Sequence, residues 1–260
     1  ILPRSTPPPP DSGHWHNVKI ELVEPIVVDG PQPVANAQVV VPPRDAQFGI
    51  ISDLDDTVIQ TGAADTMRMV RATLLGNAHT RTPFKGVASF YAALQQGETG
   101  TGFHPIFYVS SSPWNLYDVI EQFLALQRIP MGPTLLRDWG MSIDRIPFGH
   151  AAHKLSMIRH VLEMYPTMKF ILIGDSGQED PEIYREVARE YPGRILAAYI
   201  RDISPGSPRA RVLGAMVRDL AKNGIEMVLA TNTLIAARHA AQSGWIAQAS
   251  VQQMEEELLA

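Results

Sequence analysis

The chain is 260 residues long, 45% hydrophobic, and carries a formal net charge of −5 with no cysteine. That length admits one large domain or two small ones, and the apolar fraction supports a sizeable core rather than wholesale disorder. Disulfides, thiol nucleophiles and thiolate metal sites are excluded, and the negative balance argues against a nucleic-acid partner held by a global basic field.

Residues 1–15 open on "ILPRSTPPPPDSG", which cannot form helix or a central strand and reads as an extended linker. The first residue is Ile rather than Met, so we expect a segment upstream to have been cut away. Residues 16–45 are β-rich. Within them "VKIELVEPIVVDGPQPVANAQVVVPP" gives two strand-like runs about a Gly-Pro turn, a hairpin or the last strands of a small β module.

From residue 46 to 245 strands and helices alternate. "QFGIIS" reads as a strand, followed by helical segments over 64–75 and 87–95. "HPIFYVS" is a strand, and Pro113 suits the first turn of a helix after it. "PTLLRDW" reads as a short strand and "HKLSMIRHVLEMY" as an amphipathic helix. Then come "KFILIGDS" (strand), "DPEIYREVAREY" (helix), "RILAAYI" (strand), "PRARVLGAMVRDLAKNG" (helix) and "EMVLA" (strand). The strands are apolar throughout, as parallel strands covered on both faces must be. The expected class is therefore α/β, a Rossmann-like parallel sheet with helices on both faces. Residues 246–260 form a short acidic, helix-prone tail that either docks or frays.

In such sheets ligands bind beyond the carboxyl ends of the strands. Asp53-Leu54-Asp55-Asp56-Thr57 follows the first strand, Ser110-Ser111-Ser112-Pro113 the second, and Gly174-Asp175-Ser176-Gly177-Gln178-Glu179-Asp180 a later one. Lys154 opens a helix between them. A cation is disfavoured at a helix N-terminus, so its presence there predicts a partner anion. Together these groups can move a phosphoryl group. A carboxylate can attack phosphorus if a divalent cation screens it, and magnesium prefers oxygen ligands. Hydroxyls, helix-start amides and a lysine can hold phosphoryl oxygens. Competing readings are plain: Asp commonly caps helices, which suits Asp56, and Ser111 and Ser112 read as turn and cap residues. His150 and His153 are spaced like a metal pair but lack a third ligand, so we expect histidines at the surface or behind the groups that touch the ligand. Trp114 and Tyr117 are expected to pack beneath the loop, with a rim position as the alternative.

"DLDDT" resembles the DxDxT signature of the haloacid dehalogenase superfamily, and "GDSGQED" its acidic GDxxxxD motif, with Ser110 and Lys154 at the two intervening motif positions. The stretches "ISDLDDTVIQTG", "YVSSSPWNLYDVIEQFL" and "KFILIGDSGQEDPEIYREVAREYPGRILAAYIRD" resemble, more narrowly, the phosphatidate phosphatase catalytic-domain family of the actin-patch type, related in chemistry to the lipins. The likeness runs over roughly 18–244. It departs at Ser111, where Asn or Arg is expected as often as Ser. The resemblance implies that Asp53 is the nucleophile and forms a phospho-aspartyl intermediate, and that Asp55 is the general acid and base. It implies Mg2+ held by Asp53, Asp175 and the Asp55 carbonyl. Ser110, Ser111 and Lys154 would bind the phosphoryl group, Asp180 would order metal-bound water, and Thr57 would brace the loop.

The segments between motifs leave no room for a large cap, so the site is expected to admit bulky or membrane-embedded phosphomonoesters. Arg68, Arg71, Arg81 and Lys85 lie on a partly apolar segment that could rest on an anionic membrane or simply be solvated. With no apolar run of spanning length and no signal segment, a cytoplasmic protein, with peripheral membrane contact as an option, is the expectation. The expected activity is Mg2+-dependent hydrolysis of phosphatidate. The alternatives are a phosphatase of soluble phosphoesters or phosphoproteins, and a non-catalytic binding module.

Overall fold

The protein was analysed as a computed structural model that describes residues 14–25, 30–54, 85–137, 150–203, 205–222 and 224–259. Two strands, β1 (Trp15–Glu21) and β2 (Val34–Val40), pair antiparallel, with Trp15 opposite Val40. Beyond them a six-stranded parallel sheet is built from β3 (Phe48–Asp53), β4 (Ile106–Pro113), β5 (Thr134–Arg137), β6 (Lys169–Asp175), β7 (Ile195–Arg201) and β8 (Glu226–Ala230). Its strand order is β5-β4-β3-β6-β7-β8. The expected α/β class is therefore the observed one.

Alternation along each strand divides the core into two layers. Phe48 and Ile50 of β3, Ile171 and Ile173 of β6, and Ala197 and Tyr199 of β7 face one layer. There they meet α1 (Val87–Gln96), α2 (Tyr117–Leu126), α6 (Thr233–Gln242) and α7 (Gln248–Leu259). Ile51, Phe170, Leu172, Ala198 and Ile200 face the other, under α3 (His150–Met164), α4 (Asp180–Glu190) and α5 (Pro208–Lys222). Burial on both faces is why the strands read as apolar runs rather than as alternating ones. At Gly49 a side chain would meet the Phe170 ring at 2.6 Å, so the glycine lets β3 and β6 close up at the sheet centre.

Two local expectations change. Pro113 ends β4 instead of opening a helix; a 3-10 turn, Trp114–Leu116, follows and α2 starts only at Tyr117. The acidic tail docks: Val251 and Met254 of α7 are buried in the first layer, and Arg238 donates to Glu255 at 2.6 Å. The segment expected to be helical over 64–75 lies outside the described residues. No helix among the described residues is long and apolar enough to cross a membrane.

The chain enters the sheet at β3, runs outward to β5, then crosses to β6 and runs outward the other way to β8. The direction of winding therefore reverses between β3 and β6, and a crevice must open at their carboxyl ends.

Candidate active site

Asp53 is the last residue of β3 and Asp175 the last of β6, so the two strands that flank the reversal each deliver one carboxylate to its mouth. Ser110 sits one residue beyond Val109, the partner of Asp53 across β3 and β4. Lys154 comes down from the start of α3, and Asp180 from the first position of α4. All five side chains are buried, Lys154 to 2% and Asp53 to 1% exposure.

Lys154 Nζ lies 2.9 Å from Asp53 Oδ1 and donates to Asp180 Oδ1 at 2.5 Å. The second oxygen of Asp180 accepts the amide of Asp175 at 3.1 Å. Asp175 Oδ1 in turn accepts the amides of Gly177 (2.6 Å) and Gln178 (3.1 Å), which closes the loop between β6 and α4. Gly174 makes this closure possible, since a side chain there would lie 2.4 Å from Asp180 Oδ2. Behind Asp53, Ser52 Oγ donates to the Asp53 carbonyl at 2.7 Å and meets the buried Tyr91 hydroxyl at 2.6 Å, which leaves Tyr91 as the donor. Ser110 Oγ accepts the Ser112 amide at 2.9 Å, a local contact within the irregular carboxyl end of β4.

Lys154 does not open its helix as expected, since α3 starts at His150 and places it one turn in; its anion is nevertheless there, a pair of protein carboxylates. Burial alone would lower the pKa of the Lys154 ammonium, but Asp53 and then Asp180 outweigh it and hold the group charged, well above the usual lysine value. Asp175 fares differently. Burial, and after it the charge of Asp180, pushes its carboxyl up to about 7, although the Gly177 and Gln178 amides and Lys154 pull it partly back.

Asp53, Asp175 and Asp180 each offer an oxygen within 4.8 Å of the others. Asp175 Oδ2 is buried and accepts no hydrogen bond from any described residue. A buried, oxygen-only donor set with an unsatisfied carboxylate oxygen and more negative than positive charge in contact fits a hard divalent cation such as Mg2+. His153 is half-buried on α3 and is not part of that cluster; the side chain of His150 is not among those described.

Asp55, Asp56, Thr57, Arg68, Arg71 and Arg81 lie outside the described residues. Lys85 is described and exposed, and its carbonyl accepts from Thr233 Oγ1 at 2.9 Å. Ser111 is buried, with no described hydrogen-bond partner for its hydroxyl, and with Lys154, Ala151, Gln178, Glu179 and Ile183 it lines a cavity of about 310 Å³. Trp114 does not pack beneath the loop as expected: half of it (51%) is exposed. The β4 bulge and the 3-10 turn carry it outward.

Sequence reasoning overlooked two arginines. Arg209, second residue of α5, grips Glu182 through both guanidinium ends (2.5 and 2.7 Å) and donates to the Gln178 carbonyl at 3.0 Å. It thereby clamps the loop that carries Asp175. The signal was present, because Arg209 is a cation in the first turn of a helix, where the dipole disfavours one. Arg201 ends β7 beside Asp175, largely buried, with Nη2 donating to Thr233 Oγ1 at 3.3 Å. A charged residue closing an otherwise apolar strand was its mark in the sequence.

Residues 48–202 match the family described as "Phosphatidate phosphatase APP1, catalytic domain". Among curated proteins the chain is 34% identical over 156 residues to Phosphatidate phosphatase APP1 of Saccharomyces cerevisiae, covering 59% of this chain and 26% of that protein. It is 33% identical over 158 residues to Uncharacterized protein C29B5.04c of Schizosaccharomyces pombe, covering 60% of this chain and 25% of that one. The chain thus spans about a quarter of the length of these relatives. A solved Pnkp1/Rnl/Hen1 complex is similar at a TM-score of 0.39 and 17% identity, covering 62% of this chain and 49% of that one, a likeness too slight to bear on fold or function. The family match takes in more than half of the chain and every described residue of the site: the chain belongs to the phosphatidate phosphatase APP1 catalytic-domain family.

Proposed function

We propose that the chain is a Mg2+-dependent lipid phosphomonoesterase that hydrolyses phosphatidate through an aspartyl-phosphate intermediate. The observation that carries this reading is the meeting of Asp53, Lys154, Asp175 and Asp180 at the reversal point of the sheet, inside the segment that matches the family.

Asp53, Asp175 and the Asp55 carbonyl would hold the cation. When bound, it screens carboxylate and phosphate oxygens from one another. Asp53 is the nucleophile: one of its oxygens forms a bond to phosphorus while the bond from phosphorus to the glycerol oxygen breaks. Asp55 gives its proton to the departing alkoxide. The same residue then takes a proton from water as that water attacks phosphorus, which frees inorganic phosphate and restores the Asp53 carboxylate. Lys154 turns its remaining donors to the phosphoryl oxygens, since a buried ammonium fixed by Asp53 and Asp180 is already in place for the charge that develops there. Ser110 and Ser111 supply further contacts from the carboxyl end of β4, the latter as a residue that lines the cavity beside Lys154. Asp180 holds Lys154 and the Asp175 amide in place.

The test is phosphate release from phosphatidate in mixed detergent micelles, with magnesium or with chelator, beside Asp53→Asn and a panel of soluble phosphomonoesters. Magnesium-dependent release from phosphatidate that Asp53→Asn abolishes is the expected result. Release only from soluble esters would remove the lipid substrate, and release unaffected by Asp53→Asn would remove the mechanism.

A further inference from the structure

A groove of about 480 Å³ runs beside the site, bounded by Trp114, Tyr117, Thr134, Leu135, Leu136, Met157 and His160. Its volume lies within the range of about 300–1,000 Å³ common to small-molecule pockets. We propose that this groove binds the hydrocarbon chain of the phosphorylated substrate, so that it, rather than the phosphate site, selects the substrate by its apolar part. The inference rests on the phosphatidate reading above.

Both walls continue directly from the elements that hold the phosphate site. Trp114 follows the Ser110–Pro113 turn without a break, and Met157 lies one helical turn beyond Lys154 on α3. The floor is β5, the edge strand, whose Arg137 pairs with Pro113 at the end of β4. A molecule whose phosphate sits at Lys154 therefore has the groove as its next neighbour along both α3 and the β4 turn.

The lining is mostly apolar. Leu135, Leu136, Met157 and two aromatic rings offer apolar contact, the Tyr117 hydroxyl is already committed to Glu121 at 2.6 Å, and that of Thr134 donates to the Gly132 carbonyl at 3.3 Å. Among the described residues the lining holds His160 but no arginine, lysine or carboxylate, so a charged ligand would be poorly compensated there. Of the apolar lining residues, Trp114 is the most exposed. With 51% of its surface exposed, the indole gains apolar contact only when something covers it. Methionine beside it supplies an adaptable surface suited to chains of varied shape.

The experiment measures kcat/KM for a series of phosphatidates with chains of four, six and eight carbons, all kept below the concentration at which they aggregate, together with glycerol phosphate. Wild-type kcat/KM should rise about two- to fourfold per buried methylene until the groove is filled. Trp114→Ala and Met157→Gln should each cut the ratio of eight-carbon to four-carbon kcat/KM by at least about tenfold. Leu126→Gln, an exposed apolar position at the far end of α2, should keep the wild-type ratio. A wild-type enzyme that hydrolyses all phosphatidates with no dependence on chain length would overturn the groove and leave the phosphatidase reading standing. So would variants that keep the full ratio. Hydrolysis of glycerol phosphate with none of any phosphatidate would instead remove the lipid reading, and the groove assignment with it.

Discussion

Two helices of the same layer each carry, within their first two turns, a cation that meets an acid, and the two pairs behave in opposite ways. On α3, Lys154 is sealed between Asp53 and Asp180 at the reversal point of the sheet. On α5, Arg209 reaches Glu182 and the 176–178 loop from a position more than a third exposed. Near water an ion pair contributes little to stability and is easily lost, whereas a buried one contributes little as a pair but is costly to break. The first is therefore an arrangement for chemistry, and the second a brace that keeps a loop in register. The comparison can be broken or sharpened by substitutions at four positions.

Removing the buried cation should have the largest effect. Lys154→Met leaves two buried carboxylates without their partner, and the expected loss is about 3–5 kcal/mol of stability. Phosphatase activity should fall at least about a hundredfold. Urea denaturation and phosphate release check the two separately, and a stable, active Lys154→Met protein would put both pairs in the same class.

Asp175→Asn should act on stability in the reverse sense. The folded pKa of Asp175, about 7, stands above its ordinary value of 3.8, so the folded state holds the extra proton between the two. Stability from this group is full below the unfolded value and is lost as pH rises through about 7. Without divalent cation, the wild-type protein should gain Tm relative to Asp175→Asn as the pH is lowered from 8 to 6. Added magnesium should raise the wild-type Tm at pH 8 and leave that of Asp175→Asn nearly unmoved. A wild-type Tm that runs parallel to the variant at every pH would contradict the charge assigned to this carboxylate.

Arg209→Ala should cost only about 1 kcal/mol in stability, the upper range for a well-formed bidentate pair near the surface. Its effect on activity should be larger than that figure suggests, with a higher magnesium concentration needed for half-maximal activity, because the loop it braces presents Asp175. Arg209→Lys should restore less than half of the loss, since an ammonium cannot reproduce the two-pronged grip. Arg159→Ala is the smallest. Its contacts with Glu186 and Glu190 are exposed and remote from the site, and neither Tm nor activity should change measurably.

The same contrast explains what could be read from the sequence. The parallel sheet was legible because β3, β4, β6 and β7 each hold an unbroken apolar run before their carboxyl ends, a pattern that burial on both faces imposes. Asp53, Ser110 and Asp175 were legible because each breaks such a run at its carboxyl end. Lys154 was singled out as a cation opening a helix, but α3 starts four residues earlier, so the dipole argument fits Arg209, second residue of α5, better than it fits Lys154. Asp180 emerged only as a motif position. That it bridges Lys154 and the Asp175 amide depends on Gly174 admitting the carboxylate, which spacing alone does not convey. The groove at Trp114 was not legible at all. An aromatic residue after a strand packs inward by default, and only the 3-10 turn between Pro113 and Tyr117 turns it outward. Docking of α7 was likewise undecided, because Val251 and Met254 are few apolar residues in an acidic stretch and it is α1 and α6 that give them a surface.

The central claim is that Asp53, held beside Lys154 at the end of β3, attacks phosphorus itself. It is tested most directly by acid-quenching the enzyme during turnover of phosphatidate labelled in its phosphate, with Asp55→Asn used to slow the second step. Label that stays on the protein in acid, is released by hydroxylamine and maps to the peptide containing Asp53 is the predicted result. Turnover by wild-type protein with no covalent label in either form, or label on a residue other than Asp53, would contradict it.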